Sequence, residues 1–128
     1  MWQAAVMSSG IHSPGRTVEL TGFSLDTLRY YERIGLIDPV HRAVGGQRRY
    51  SEEDVEWLGI LRCLRDTGMP IAQMREYAEQ ARGGDETVAD RLALLEEHDQ
   101  SVAEQIELLE RQRAKLREKI AFYRASLG

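Results

Sequence analysis

The chain has only one cysteine, Cys63, which excludes an intrachain disulfide. Its three histidines, His12, His41 and His98, lie far apart in sequence, so no short metal-ligand spacing exists. There is no Gly-x-Ser-x-Gly elbow, no His-Glu-x-x-His pair and no glycine loop to cradle a phosphate. An enzymatic reading has no constellation to stand on, and neither a metal nor a cofactor is expected. Aromatic residues make up only 7% of a chain that is 42% hydrophobic and 30% charged, a mixture that favours an α-rich protein with a modest core. No apolar run approaches the roughly 18 residues needed to cross a bilayer. The uncharged start, Met1 to Ile11, lacks the basic and apolar regions of a secretion signal. A cytoplasmic protein without membrane contact is expected.

The net charge of −4 conceals an asymmetry. Residues 12–50 hold six arginines against four acids, whereas residues 51–128 hold eleven basic and seventeen acidic side chains. The first segment is therefore net basic and the second net acidic, and a difference in sign of that kind is more informative than the total.

Residues 1–12 carry no helical period and are expected to be a flexible tail. Ser13-Pro14 reads as a helix entry, serine capping free backbone N–H groups and proline tolerating the first helical position. A short first helix ends near Thr21-Gly22, and Ser24 caps a second with Leu25, Leu28 and Tyr31 at helical spacing. Asp38-Pro39 breaks the helical pattern. Gly45-Gly46 then signals a turn between two short strands within Val40–Val44 and Gln47–Tyr50. Ser51 and Asp54 resemble a capping arrangement for a third helix over 52–66. Pro70 opens a fourth helix that stops at Gly83-Gly84, and Asp85 is expected to cap a fifth. The expected division is a tail over 1–12, a winged domain with a helix pair over 13–83, and a dimerisation helix over 85–127.

That fifth helix is the most regular feature. Steps of four and three from Val88 visit Leu92, Leu95, Asp99, Val102, Ile106, Leu109, Arg113, Leu116, Ile120, Tyr123 and Leu127. Ten of these twelve positions are apolar, a coiled-coil seam that predicts a homodimer. Asp99 and Arg113 lie seven residues either side of Ile106. Two copies crossing antiparallel near Ile106 would bring each Asp99 toward the other's Arg113, whereas a parallel pair would oppose like charges. Both side chains reaching out to water is the open alternative.

Helix, turn, helix and wing in this order form an architecture that places a short helix in the major groove. The second helix offers Ser24, Asp26, Thr27, Arg29, Tyr30 and Arg33, and the wing offers Arg42, Gln47, Arg48, Arg49 and Tyr50. Arginine brings a planar donor fork for phosphates or guanine edges, and tyrosine brings a hydroxyl for phosphate. Solvated salt bridges such as Arg29–Glu32 are the competing reading, with Tyr31 in the core. A coiled-coil protein-interaction module is the other functional class left open.

The run Thr21-Gly-Phe-Ser-Leu-Asp-Thr-Leu-Arg-Tyr-Tyr-Glu-Arg-Ile-Gly-Leu36 closely resembles the signature of MerR-family transcription regulators. So do the wing from Arg42 through Gly46-Gln-Arg-Arg-Tyr50, the start Ser51-Glu-Glu-Asp54, and Leu64-Arg-Asp-Thr-Gly-Met-Pro-Ile71. The likeness covers about residues 13–124. It implies a mainly α fold, a winged helix-turn-helix domain followed by an antiparallel coiled coil, and a homodimer on double-stranded promoter DNA. It further implies bending and untwisting of an overlong promoter spacer so that RNA polymerase engages both elements. Arg29, Tyr30, Arg48, Arg49 and Tyr50 are the DNA contacts that the resemblance favours.

The dimerisation helix lacks the cysteines found near its end in metal-responsive members, and an added domain like that of drug-responsive ones is not expected. The position of Cys63 resembles that of the single cysteine in the aldehyde- and thiol-stress-responsive subgroup, and Arg62 and Arg65 beside it would favour a reactive thiolate. The competing expectation is a structural cysteine buried with Ile60 and Leu64 on the third helix, the regulator then answering to a small molecule or to no effector.

Overall fold

The computed structural model describes residues 11–38, 41, 42, 45, 46 and 48–128. The expectations for residues 1–10, Val40, Val44 and Gln47 lie outside the described residues. Element order is β1 (Ile11–His12), α1 (Pro14–Thr21), α2 (Leu25–Arg33), β2 (His41–Arg42), β3 (Arg48–Ser51), α3 (Glu52–Asp66), α4 (Ile71–Arg82) and α5 (Val88–Leu127). Among the described residues no helix is long and apolar enough to cross a membrane.

Local chemistry sets most of these boundaries. Ser13 caps α1 with Pro14 in its first turn, Ser24 caps α2, and Ser51 with Asp54 closes a full capping box on α3. Each arrangement satisfies N–H groups that a helix start leaves without intrahelical partners. Two expectations need correction. Ile11 and His12 are strand rather than tail, because they pair antiparallel with Ser51 and Tyr50 of β3. β3 thus lies between β1 and β2, with His41 opposite Arg49 and Arg42 opposite Arg48 on its other edge. Asp85 does not cap α5 either, since Gly84–Thr87 forms a 3₁₀ turn and α5 begins at Val88.

Contacts divide the chain into two units, residues 1–92 and 93–128. In the first, Phe23, Leu28, Tyr31, Leu36, Tyr50, Trp57, Leu58, Leu61 and Met74 form the core. Trp57 donates its indole N–H to the Leu36 carbonyl at 2.8 Å and stacks on Tyr77 with ring centroids 5.4 Å apart. A large ring is thereby buried with its one polar atom satisfied. His12 pairs with Glu52, tying β1 to the start of α3. The second unit is helical throughout except for its last residue.

Candidate nucleic-acid interface

The turn between α1 and α2 aims the surface that follows it. Buried Thr17 donates its hydroxyl to the Ser13 carbonyl at 2.9 Å, and Thr21 donates to the Thr17 carbonyl at 2.8 Å. Gly22 then takes φ 78°, the left-handed conformation that glycine adopts without a Cβ clash. Arg62 on α3 reaches across and donates Nη1 to the Thr21 carbonyl at 2.9 Å. Its guanidinium also lies 5.8 Å from the Phe23 ring centroid.

α2 turns Leu28 and Tyr31 into the core, with Phe23 edge-on to Tyr31 at 5.2 Å. Its other side exposes Asp26, Arg29, Tyr30 and Arg33, while Thr27 is half-buried. Arg29 pairs with Asp26 at 3.7 Å rather than with Glu32. The Arg33 guanidinium lies 5.5 Å from the Tyr30 ring centroid, in cation–π range. Ser24 is a cap: its oxygen accepts the Thr27 N–H at 3.1 Å, and its hydroxyl donates to Thr27 Oγ1 at 3.0 Å.

Alternation along β3 sorts the wing residues. Positions 48 and 50 share one face of a strand, and position 49 takes the other. Arg48 donates Nε to Glu32 at 2.9 Å, with side chains only 22% and 15% exposed, so it locks the wing to α2. Tyr50 corrects the expectation of a surface contact: its side chain is wholly buried, because the core lies on its face of the strand. Its hydroxyl has no hydrogen-bond partner among the described residues, and burial pushes the phenol above its ordinary pKa. Arg49, half-buried, donates Nη1 to the Arg48 carbonyl at 3.1 Å. The backbone of Arg42 pairs with Arg48.

A groove of about 430 Å³ separates the starts of α1 and α2 from the wing. Arg29, Arg48 and Arg49 line it together with Ser13, Pro14, Leu25, Gly46 and Tyr50. Ser13, Pro14 and Leu25 escape sequence reasoning as groove residues, because the Ser-Pro pair signals only a cap. Arg29 and Arg49 bring positive charge to this opening, while Arg48 beside them is held by Glu32.

The competing expectation of a buried Cys63 also requires correction, because the residue is exposed. The buried face of α3 takes Trp57, Leu58, Leu61 and Leu64, and Cys63 points away from the centre of that arc. Ile60 is 39% exposed. Arg62 and Arg65 are both engaged with Asp66, at 2.7 and 3.2 Å, and Arg62 is the main group holding the Asp66 carboxyl below its ordinary range. Arg65 also stacks 4.9 Å from the Phe23 centroid. Among the described residues no group of three metal-ligating side chains comes together.

On α5 the seam residues Val88, Leu92, Ile106, Leu109, Leu116, Ile120, Tyr123 and Leu127 are exposed, and Leu95 and Val102 are half-buried. Asp99 and Arg113 are exposed on the same seam.

Helix pair, three-stranded wing and arginine-lined groove define the winged helix-turn-helix class. Residues 13–81 match the family described as MerR HTH family regulatory protein, and residues 55–119 match that described as MerR, DNA binding. The chain belongs to the MerR family. It is 37% identical over 112 residues to an uncharacterized HTH-type transcriptional regulator of Haemophilus influenzae, covering 88% of this chain and 83% of that one. It is 45% identical over 74 residues to the HTH-type transcriptional regulator AdhR of Bacillus subtilis, covering 58% of this chain and 53% of AdhR. Among solved structures it is similar to HiNmlR, a MerR family regulator lacking the sensor domain, bound to promoter DNA. The TM-score is 0.82 with 36% identity, and 90% of this chain and 91% of that one are covered.

Proposed function

We propose that this chain is a transcription regulator that binds promoter DNA as a homodimer and has no catalytic role. The observation that carries the reading is the exposed face of α2, with Arg29, Tyr30 and Arg33 beside a groove whose other wall brings Arg48 and Arg49. The likeness to a DNA-bound regulator across nine-tenths of the chain supports it. In this reading α2 enters a major groove, and the wing holds the flanking backbone. The exposed seam of α5 supports the dimer, since a row of large apolar side chains in water is stabilised by a second helix.

A dimer gripping two half-sites can bend and untwist the spacer between promoter elements, so that control is exerted through DNA deformation and RNA polymerase is the functional partner. The site of action is the cytoplasm. Exposure of Cys63 favours an electrophile or aldehyde as the signal.

The test is fluorescence anisotropy with DNA from upstream of the chain's own gene, beside a scrambled fragment, at several salt concentrations. Preferred binding that weakens steeply with salt is expected. No binding to either fragment at low salt would refute the reading in favour of a protein-interaction module.

A further inference from the structure

One exposed side chain of α2 has the wrong charge for a surface that meets phosphates. The Asp26 side chain is 95% exposed in the first turn of α2, 3.7 Å from Arg29. A carboxylate there opposes the electrostatic attraction that dominates DNA affinity. Such a group is useful where it discriminates between sequences, by accepting from one base and repelling others. We propose that Asp26 sets base preference by accepting a hydrogen bond from the exocyclic amino group of cytosine. The operator half-site then carries cytosine where the first turn of α2 faces the groove.

This inference rests on the reading that α2 enters the major groove. There the polar edge of cytosine is a donor alone, whereas guanine and thymine present acceptors that repel a carboxylate. Adenine presents a donor beside the N7 acceptor, which suits an amide better than an acid. Arg29, one turn further along α2, steadies the carboxylate and offsets its charge against the phosphates. A competing role exists, because an acid in the first turn also stabilises a helix through the macrodipole. That role would alter the melting temperature and leave base preference untouched.

The two roles separate in a selection experiment on a randomised duplex pool with the full chain, Asp26→Ala, Asp26→Asn and Arg29→Ala. The wild type should enrich a motif with cytosine fixed at one half-site position. Asp26→Ala should bind bulk sequence at least as tightly and lose about tenfold of discrimination at that position alone. Asp26→Asn should move the preference there toward adenine, while Arg29→Ala should weaken binding to all sequences. A motif unchanged at every position in both Asp26 variants would overturn the inference and leave the DNA-binding reading standing. A wild type that selects no motif would overturn that reading, and this inference with it.

Discussion

Gly22→Ala tests the joint that aims α2. At φ 78° an L residue is strained by about 1–2 kcal/mol. A Cβ at Gly22 would also stand 2.0 Å from Arg62 Nη1, so the guanidinium must move. It would give up the 2.9 Å bond to the Thr21 carbonyl. Hydrogen bonds to charged groups contribute about 1.5–3 kcal/mol, and partial exposure of Arg62 reduces this to about 1 kcal/mol. Gly35 is the internal control, with φ 82° and nothing within 4 Å of its hypothetical Cβ. Gly35→Ala should therefore cost about 1–2 kcal/mol and Gly22→Ala about 2–3 kcal/mol. In an Arg62→Ala background the gap should close. Urea unfolding at one fixed protein concentration measures all four variants, since the stability of an oligomer depends on concentration. Equal costs with Arg62 present, or a gap that survives its removal, would refute the reasoning.

Tyr50→Phe removes a buried hydroxyl with no partner among the described residues. Stability should stay level or rise by up to about 1 kcal/mol, and a comparable fall in the calorimetric melting curve would show that the hydroxyl is bonded. Cys63 is exposed, so Cys63→Ser should change stability by less than about 0.5 kcal/mol. A thiol reagent should label the native chain; labelling only after unfolding would contradict the exposure. If the thiol receives the signal, Cys63→Ser should abolish aldehyde-dependent transcription and spare DNA binding, and an unchanged response would remove Cys63 from the pathway.

What was legible in the sequence was legible for local reasons. Ser13, Ser24 and Ser51 announce helix starts because a capping oxygen acts within three residues of itself. Leu28 and Tyr31 follow from helical period alone. β1 was not legible, because two residues carry no alternation and its partner lies some forty positions away. The roles of Arg48, Arg49 and Tyr50 depend on which face of β3 meets the core, and tertiary packing decides that. Glu32 reads from the sequence as a helical-spacing partner for Arg29, yet it holds Arg48 from the wing, a pairing sixteen positions apart that spacing does not reveal. Cys63 stays open in the sequence between exposure and burial beside Leu64, because adjacent residues on a helix point about 100° apart and only packing reveals which of them is covered.

The seam of α5 breaks its apolar pattern at Asp99 and Arg113, both exposed and neither ion-paired within its own chain among the described residues. In the proposed dimer, helices crossing antiparallel about Ile106 bring Asp99 toward the partner's Arg113 twice. Asp99→Arg alone would replace both attractions by repulsions. Adding Arg113→Asp would restore them with signs reversed. Exposed pairs contribute about 0.2–1 kcal/mol each, so the single swap should weaken dimerisation by roughly 1 kcal/mol or more, about fivefold in Kd. Sedimentation equilibrium measures both variants, and recovery in the double swap assigns the loss to the charge pairing rather than to position 99 alone. A parallel dimer predicts something different, because like charges would already face each other and the single swap would only exchange one repulsion for another. An Asp99→Arg dimer as tight as the wild type would therefore rule out the antiparallel register about Ile106.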